Sequence, residues 1–180
     1  MKSRTLITIV LGAVFSTLVS PSANAQLPNG YGLGIGVETA RKVAAAAIAE
    51  GKKNGWNVAA AVVDTAGDLV FFERMDNTQA ASTIVAQEKA RTAARFKRPT
   101  KAFEEAVAGG RQVLLSLPGA TPIEGGIPLI IEGKIVGAIG VSGATSPQDA
   151  QCAQAGADTL GKQPTPPPAP KPPVAPPVKK

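Results

Sequence analysis

Two stretches of the chain concentrate the side chains that could do chemistry. The first runs from Asp64 through Arg74, Met75 and Asp76 to Ser82 and Lys89. The second, Gly125 to Asp149, opens on Gly125-Gly126 and later carries Ser142-Gly143-Ala144-Thr145. A lysine of lowered pKa or a carboxylate can serve as a general base, and convergent Arg and Lys side chains suit a carboxylate ligand. A Gly-bearing loop feeding a helix N-terminus can hold an anion on its free N–H groups; it is also simply a strand-to-helix turn. There is no histidine, and Cys152 is the only cysteine. Ser-His-Asp and Cys-His machinery, the usual zinc ligand sets, thiolate metal clusters and an intrachain disulfide are thereby excluded.

Lys89 belongs to a helix running from Gln79 or Ala81 to Arg95. At about 100° per residue, Val85, Ala86, Ala90, Thr92, Ala93, Ala94 and Phe96 form one apolar arc. Gln87, Glu88, Arg91 and Arg95 lie opposite. Lys89 falls inside the apolar arc, with Ser82 in line with it. A lysine so placed either snorkels its ammonium outward or meets a carboxylate, because an unpaired buried charge is costly. Asp64 and Asp76 are the expected partners. Asp64 ends an apolar strand, Val58 to Asp64; Thr65 to Asp68 forms a turn, and Leu69 to Glu73 returns antiparallel. An Asp there also suits turn chemistry, its oxygens taking local N–H groups.

The remaining elements follow the same patterns. Val37 to Lys53 is an amphipathic helix closed by Asn54-Gly55. Thr100 is the expected N-cap of a short helix, Lys101 to Ala108, and Val113 to Leu117 allows another helical turn. Ile123-Glu124 is a possible short strand. Ile127–Ile131 and Ile135–Val141 flank Glu132-Gly133-Lys134 as a hairpin, and the uncharged second run reads as a central strand covered on both faces. Gly137 and Gly140 leave room there for a helix or ligand. The last helix spans Pro147 to Leu160, with Ser146 as N-cap, Asp149 at the capping-box position and Cys152 as a packing residue. The order predicts an α+β fold with a mostly antiparallel sheet.

The termini read differently. Lys2 and Arg4, the apolar run Leu6 to Val19 and Ala23-Asn24-Ala25 form a secretory leader pattern, with cleavage expected after Ala25 and no membrane span thereafter. Periplasmic or secreted localisation follows. Residues 26–36 read as a flexible lead-in. Residues 162–180 form a Pro-rich tail, a solvated spacer or a docking segment, with nine prolines from Pro164 onward. The chain has 19 basic and 13 acidic residues. Six of the basic ones lie in the two ends, which leaves 13 of each sign between residues 26 and 161. The basic pI therefore carries no nucleic-acid signal, and with few aromatic residues that function is excluded.

Across about residues 37–161 the chain resembles the GlcG/HbpS-like family. The motifs are V-D-x-x-G, R-M-D, S-x(6)-K-A, P-T, G-G-x-P and G-x-x-G-V-S-G-A, in that order. The resemblance implies a profilin-like three-layer fold, a five-stranded antiparallel sheet flanked by helices, and homo-oligomers. Some members are exported and bind haem; others accompany glycolate-utilisation enzymes or corrinoid adenosyltransferases. Its motif positions here include Asp64, Arg74, Met75, Asp76, Ser82, Lys89, Thr100, Gly125, Gly126, Ser142 and Gly143, which together form the candidate ligand site. Without histidine, iron ligation would fall to Met75, Tyr31, Lys89, Cys152 or a hydroxyl, or haem would be held without a strong axial bond.

Three functions compete on this reading. The first is an exported haem- or tetrapyrrole-binding protein. The second is a small-molecule, carboxylate or partner-binding module near Arg74, Lys89 and the Gly143 loop. The third is an enzyme using Lys89 or Asp64 as base.

Overall fold

The computed structural model describes residues 27–161; the expected leader and the Pro-rich tail lie outside the described residues. In chain order the elements are α1 (Val37–Asn54), β1 (Ala59–Val63), β2 (Leu69–Arg74), α2 (Ser82–Phe96), α3 (Lys101–Ala108), β3 (Gly126–Ile131), β4 (Lys134–Ser142) and α4 (Ser146–Ala157). Short 3-10 helices occupy Gln112–Ser116 and Asp158–Leu160. No described helix is long and apolar enough to cross a membrane.

The sheet is antiparallel, in the order β2-β1-β4-β3. It has four strands among the described residues, where five were expected. Ile123-Glu124 adds no strand: Ile123 N–H is taken by Thr121 O and Glu124 N–H by the Glu104 carboxylate. Those donors are unavailable to a ladder. Beyond the four strands, Tyr31 makes a single parallel bridge to Ile135.

That bridge belongs to the segment expected as an open lead-in, which is instead fastened to the domain. Leu27 and Ile35 are buried. Gly32 N–H and Ile35 N–H donate to Ile135 O and Val136 O, and the Tyr31 hydroxyl donates to Ala94 O at 2.8 Å. Its glycines are compatible with this extended packing, so their abundance did not signal mobility.

Helices cover both faces of the sheet. On one face, α1 and α4 pack over aliphatic residues, with Val43, Ile48, Val62, Leu129, Ile139, Val141 and Cys152 in one cluster. On the other, α2 lies alone over Ala59, Ala61, Val63 and Ala138, presenting Ala86, Ala90, Ala93 and Ala94. Small residues on both sides let helix and sheet approach closely. The register sets Gly126 opposite Gly140 on β3 and β4. A Cβ on Gly140 would lie 2.1 Å from Ala86 O, and one on Gly126 would lie 2.4 Å from Lys89 O. The space beside the central strand is thus filled by the helix backbone. β4 is covered on both faces, as its uncharged composition predicts.

Candidate functional site

Lys89 projects from the α2 face into the interior and is 1% exposed. Its Nζ donates to Asp149 Oδ2 at 2.9 Å and to Val141 O at 3.1 Å. Asp149 is equally buried, and its Oδ1 accepts Ala144 N–H at 3.0 Å. The lysine does not snorkel; it pairs with a carboxylate, but with Asp149 rather than Asp64 or Asp76. Burial holds the Asp149 carboxyl above its ordinary value, while the Lys89 ammonium and the Ala144 and Gly143 N–H groups pull it back.

The cap of α4 explains why Asp149 points inward. Thr145, not Ser146, is the N-cap, and Gln148 Oε1 accepts Thr145 N–H in a capping box. That moves Asp149 one position past the capping-box site and onto the buried side of the helix. The Gly143 loop does hold an anion on its N–H groups, and the anion is the chain's own carboxylate.

Several expected residues gather around this pair. Gly125 has φ of 126°, and a Cβ there would sit 2.9 Å from Lys89 Nζ. Gly143, with φ of 151°, packs against the backbone of Asn57 and Val58. Ser142 Oγ donates to Ser82 Oγ at 3.2 Å, so the serine in line with Lys89 bridges α2 to β4. Thr100 Oγ1 accepts Gly126 N–H at 2.9 Å. The Thr100 hydroxyl makes no cap bond to α3; it ties the start of that helix to the edge of β3. Every buried side-chain nitrogen or oxygen among the described residues has a partner.

The other expected residues stay apart from it. Asp64 Oδ1 accepts the N–H groups of Ala66 and Asp68, both at 2.9 Å, which is turn chemistry. Arg74 is exposed, and its Nη1 reaches Thr83 Oγ1 at 3.4 Å. Met75 packs against the α1–α4 core, and Asp76 is exposed. Arg74 and Lys89 therefore share no cleft. Lys89, sealed against Asp149, offers a substrate no approach, so the geometry gives a base at this position nothing to act on.

The family model described as "Haem degrading protein HbpS-like" matches residues 35–158. The chain belongs to this HbpS-like family. Protein GlcG of Escherichia coli is 45% identical over 105 residues, covering 58% of this chain and 78% of that one. The crystal structure of a doubly substituted HbpS from Streptomyces reticuli superposes with a TM-score of 0.67 at 30% identity, over 87% of this chain and all of that one. A structure of PduOC in complex with haem shares the fold, with a TM-score of 0.66 at 24% identity, covering 72% and 96% of the two chains. The family match spans all four strands and all four helices, so the buried pair and its glycine frame lie wholly within it.

Proposed function

We propose that the chain is an exported tetrapyrrole-binding protein, with haem as its ligand, that works as a homo-oligomer. The observation that carries this reading is the match, over nearly the whole described domain, to a family described by haem degradation. The haem complex of PduOC is a fold-level companion to it. The leader pattern at residues 1–25 supports export.

The chain's residues suit one way of holding haem and not another. Strong axial ligation has few candidates. Lys89 is committed to Asp149, and the Cys152 thiol is fully buried. The Tyr31 hydroxyl donates to backbone carbonyls, and Met75 packs against the core. A ring held by its apolar face and its carboxylates needs none of these groups. The buried Lys89–Asp149 unit is then scaffold: it locks α2, β4 and the start of α4 together.

Absorbance titration of the purified chain with haemin tests this. Saturable binding in the micromolar range or weaker is expected, with a broad Soret band unchanged in Met75→Ala. A sharp low-spin Soret band at stoichiometric haemin, lost in Met75→Ala, would show that the iron is ligated after all. No saturable change in the wild-type chain would end the tetrapyrrole reading.

A further inference from the structure

β2 forms one margin of the sheet. It pairs with β1 on one side and with no strand among the described residues on the other. The ladder bonds decide which of its backbone groups face outward. Met75 N–H donates to Val58 O at 3.1 Å, and from there the antiparallel alternation bonds Glu73 to Ala60 and Phe71 to Val62. Phe72 and Arg74 therefore turn their N–H and C=O groups away from β1. A bulge interrupts only the start of the strand, where Val62 faces Phe71 and Val63 faces Leu69, so that Val70 drops out of the ladder. Leu69-Val70-Phe71-Phe72 holds no lysine or proline to blunt the edge, and Leu69 is 45% exposed. Such an edge is a template for another strand.

The side chains beside the edge say which strand it fits. Phe71 and Glu73 alternate onto the same face of β2, the one under α1. The Arg41 guanidinium of α1 lies over the Phe71 ring, 5.6 Å from its centroid. The acid nearest to Arg41 within the chain is Glu38, at 3.9 Å on an exposed flank. Glu73 is partly buried and makes no side-chain hydrogen bond or ion pair among the described residues. A second β2 laid antiparallel on the first has few ways to match. A two-fold axis at Glu73 sets two like charges opposite each other, which is unfavourable. One at Phe71 makes its central bonds through Val70, the residue at the bulge. One at Phe72 pairs Phe72 with its own copy through two N–H···O bonds and sets Phe71 directly opposite the partner's Glu73. The guanidinium over Phe71 then faces that carboxylate, and the symmetry makes the contact twice.

We propose that two copies of the chain join through their β2 edges, antiparallel about Phe72, into one continuous sheet in which Arg41 of each copy pairs with the partner's Glu73. This rests on the homo-oligomer proposed above and names its interface; it is independent of the ligand. The backbone bonds supply the attachment. The two ion pairs select the register and the partner, because a strand lacking an acid at that place leaves Arg41 unanswered.

The test is sedimentation velocity over a concentration series on the purified chain, on Arg41→Glu, on Glu73→Arg and on the variant carrying both exchanges. The Arg41 side chain is 59% exposed, so Arg41→Glu should melt like the wild type and reads the contact even if Glu73→Arg folds poorly. Each single reversal turns two attractions into two repulsions, and should raise the dissociation constant at least about tenfold. The double exchange restores opposite charges and should bring it back to within about threefold of the wild type. Hydrogen exchange reads the backbone: the Phe72 and Arg74 amides should be protected in the wild type and exchange quickly in Arg41→Glu at the same concentration. Self-association that ignores all three variants, with both amides exchanging freely, would overturn this interface and leave the homo-oligomer standing. Single reversals that weaken association without recovery in the double exchange would overturn the register about Phe72. A wild-type chain that stays monomeric at every concentration would overturn the homo-oligomer and this interface with it.

Discussion

The two faces of the sheet are built in opposite ways. Against α1 and α4 the strands present branched aliphatic residues, Val62, Leu129, Ile139 and Val141 among them, and side-chain volume separates the layers. Against α2 they present mostly alanine and glycine, and helix backbone comes within reach of strand backbone. Small side chains bury little apolar area each, so the α2 face has less hydrophobic stabilisation per residue to draw on. It carries instead most of the buried polar bonds: Lys89 to Asp149, Ser142 to Ser82, and Gly126 to Thr100. A thick aliphatic layer tolerates substitution by local repacking, whereas a thin layer held by backbone proximity has no side-chain atoms to rearrange.

The sharpest way to break that contrast is to add volume to the thin face. Gly140→Val should prevent stable folding or cost at least about 3 kcal/mol, because the Ala86 carbonyl occupies the new side chain's place. Removing one methyl from the thick face, Ile139→Val, should cost only about 1 kcal/mol. Urea unfolding of the two variants measures both. If Gly140→Val proved no more harmful than Ile139→Val, the close approach of α2 would not be a constraint on the fold.

The next test concerns the ion pair that crosses the thin face. Lys89→Met leaves the Asp149 carboxylate buried with only backbone N–H partners, and should destabilise by about 3–5 kcal/mol. Replacing both partners, as Lys89→Met with Asp149→Leu, should recover most of that loss, since a buried pair exchanged for apolar residues is often close to neutral. A double-mutant cycle reads the coupling directly. Strict additivity would mean that the two side chains do not act as a unit, and would remove the pair's role as scaffold.

The sequence made much of this legible, and the misses have specific physical causes. The long helices stand out because each has an apolar face of helical period against a solvated one, whereas β1 and β4, buried on both faces, stand out as uncharged apolar runs between turns. Lys89 stands out because a charge inside an alanine arc contradicts the pattern around it. Its partner was missed through a one-residue error at a helix start. Thr145-Ser146-Pro147-Gln148 fits a capping box, whereas a cap at Ser146 assigns Asp149 to local capping. Asp64 and Asp76 were attractive as partners because they precede α2 closely in sequence. The true partner lies 60 residues away, brought in by the crossing of β4 and α4. The packed segment 27–35 was hidden because backbone hydrogen bonds to β4 leave no side-chain pattern.

The mildest of these tests uses the thick face. Cys152 sits on α4, fully buried, and its thiol is pushed up from 9.0 to about 11. Burial is the main cause, followed by the negative charges of Asp149 and Glu50. The folded state therefore favours the protonated thiol more than the unfolded chain does. Its contribution is fully present below pH 9 and drains away as the pH rises toward 11, where the unfolded chain gains by ionising first. The loss amounts to roughly 2–3 kcal/mol at the alkaline limit, at about 1.4 kcal/mol per unit. Other groups titrate in the same range, so the thiol is isolated by difference. Wild type and Cys152→Ala should run parallel in stability below pH 9 and converge above it, because only the wild type carries the ionising group. Curves that stay parallel to pH 11 would show that the thiol does not feel the dry aliphatic layer around it, and the thick face would then be wetter than its packing implies.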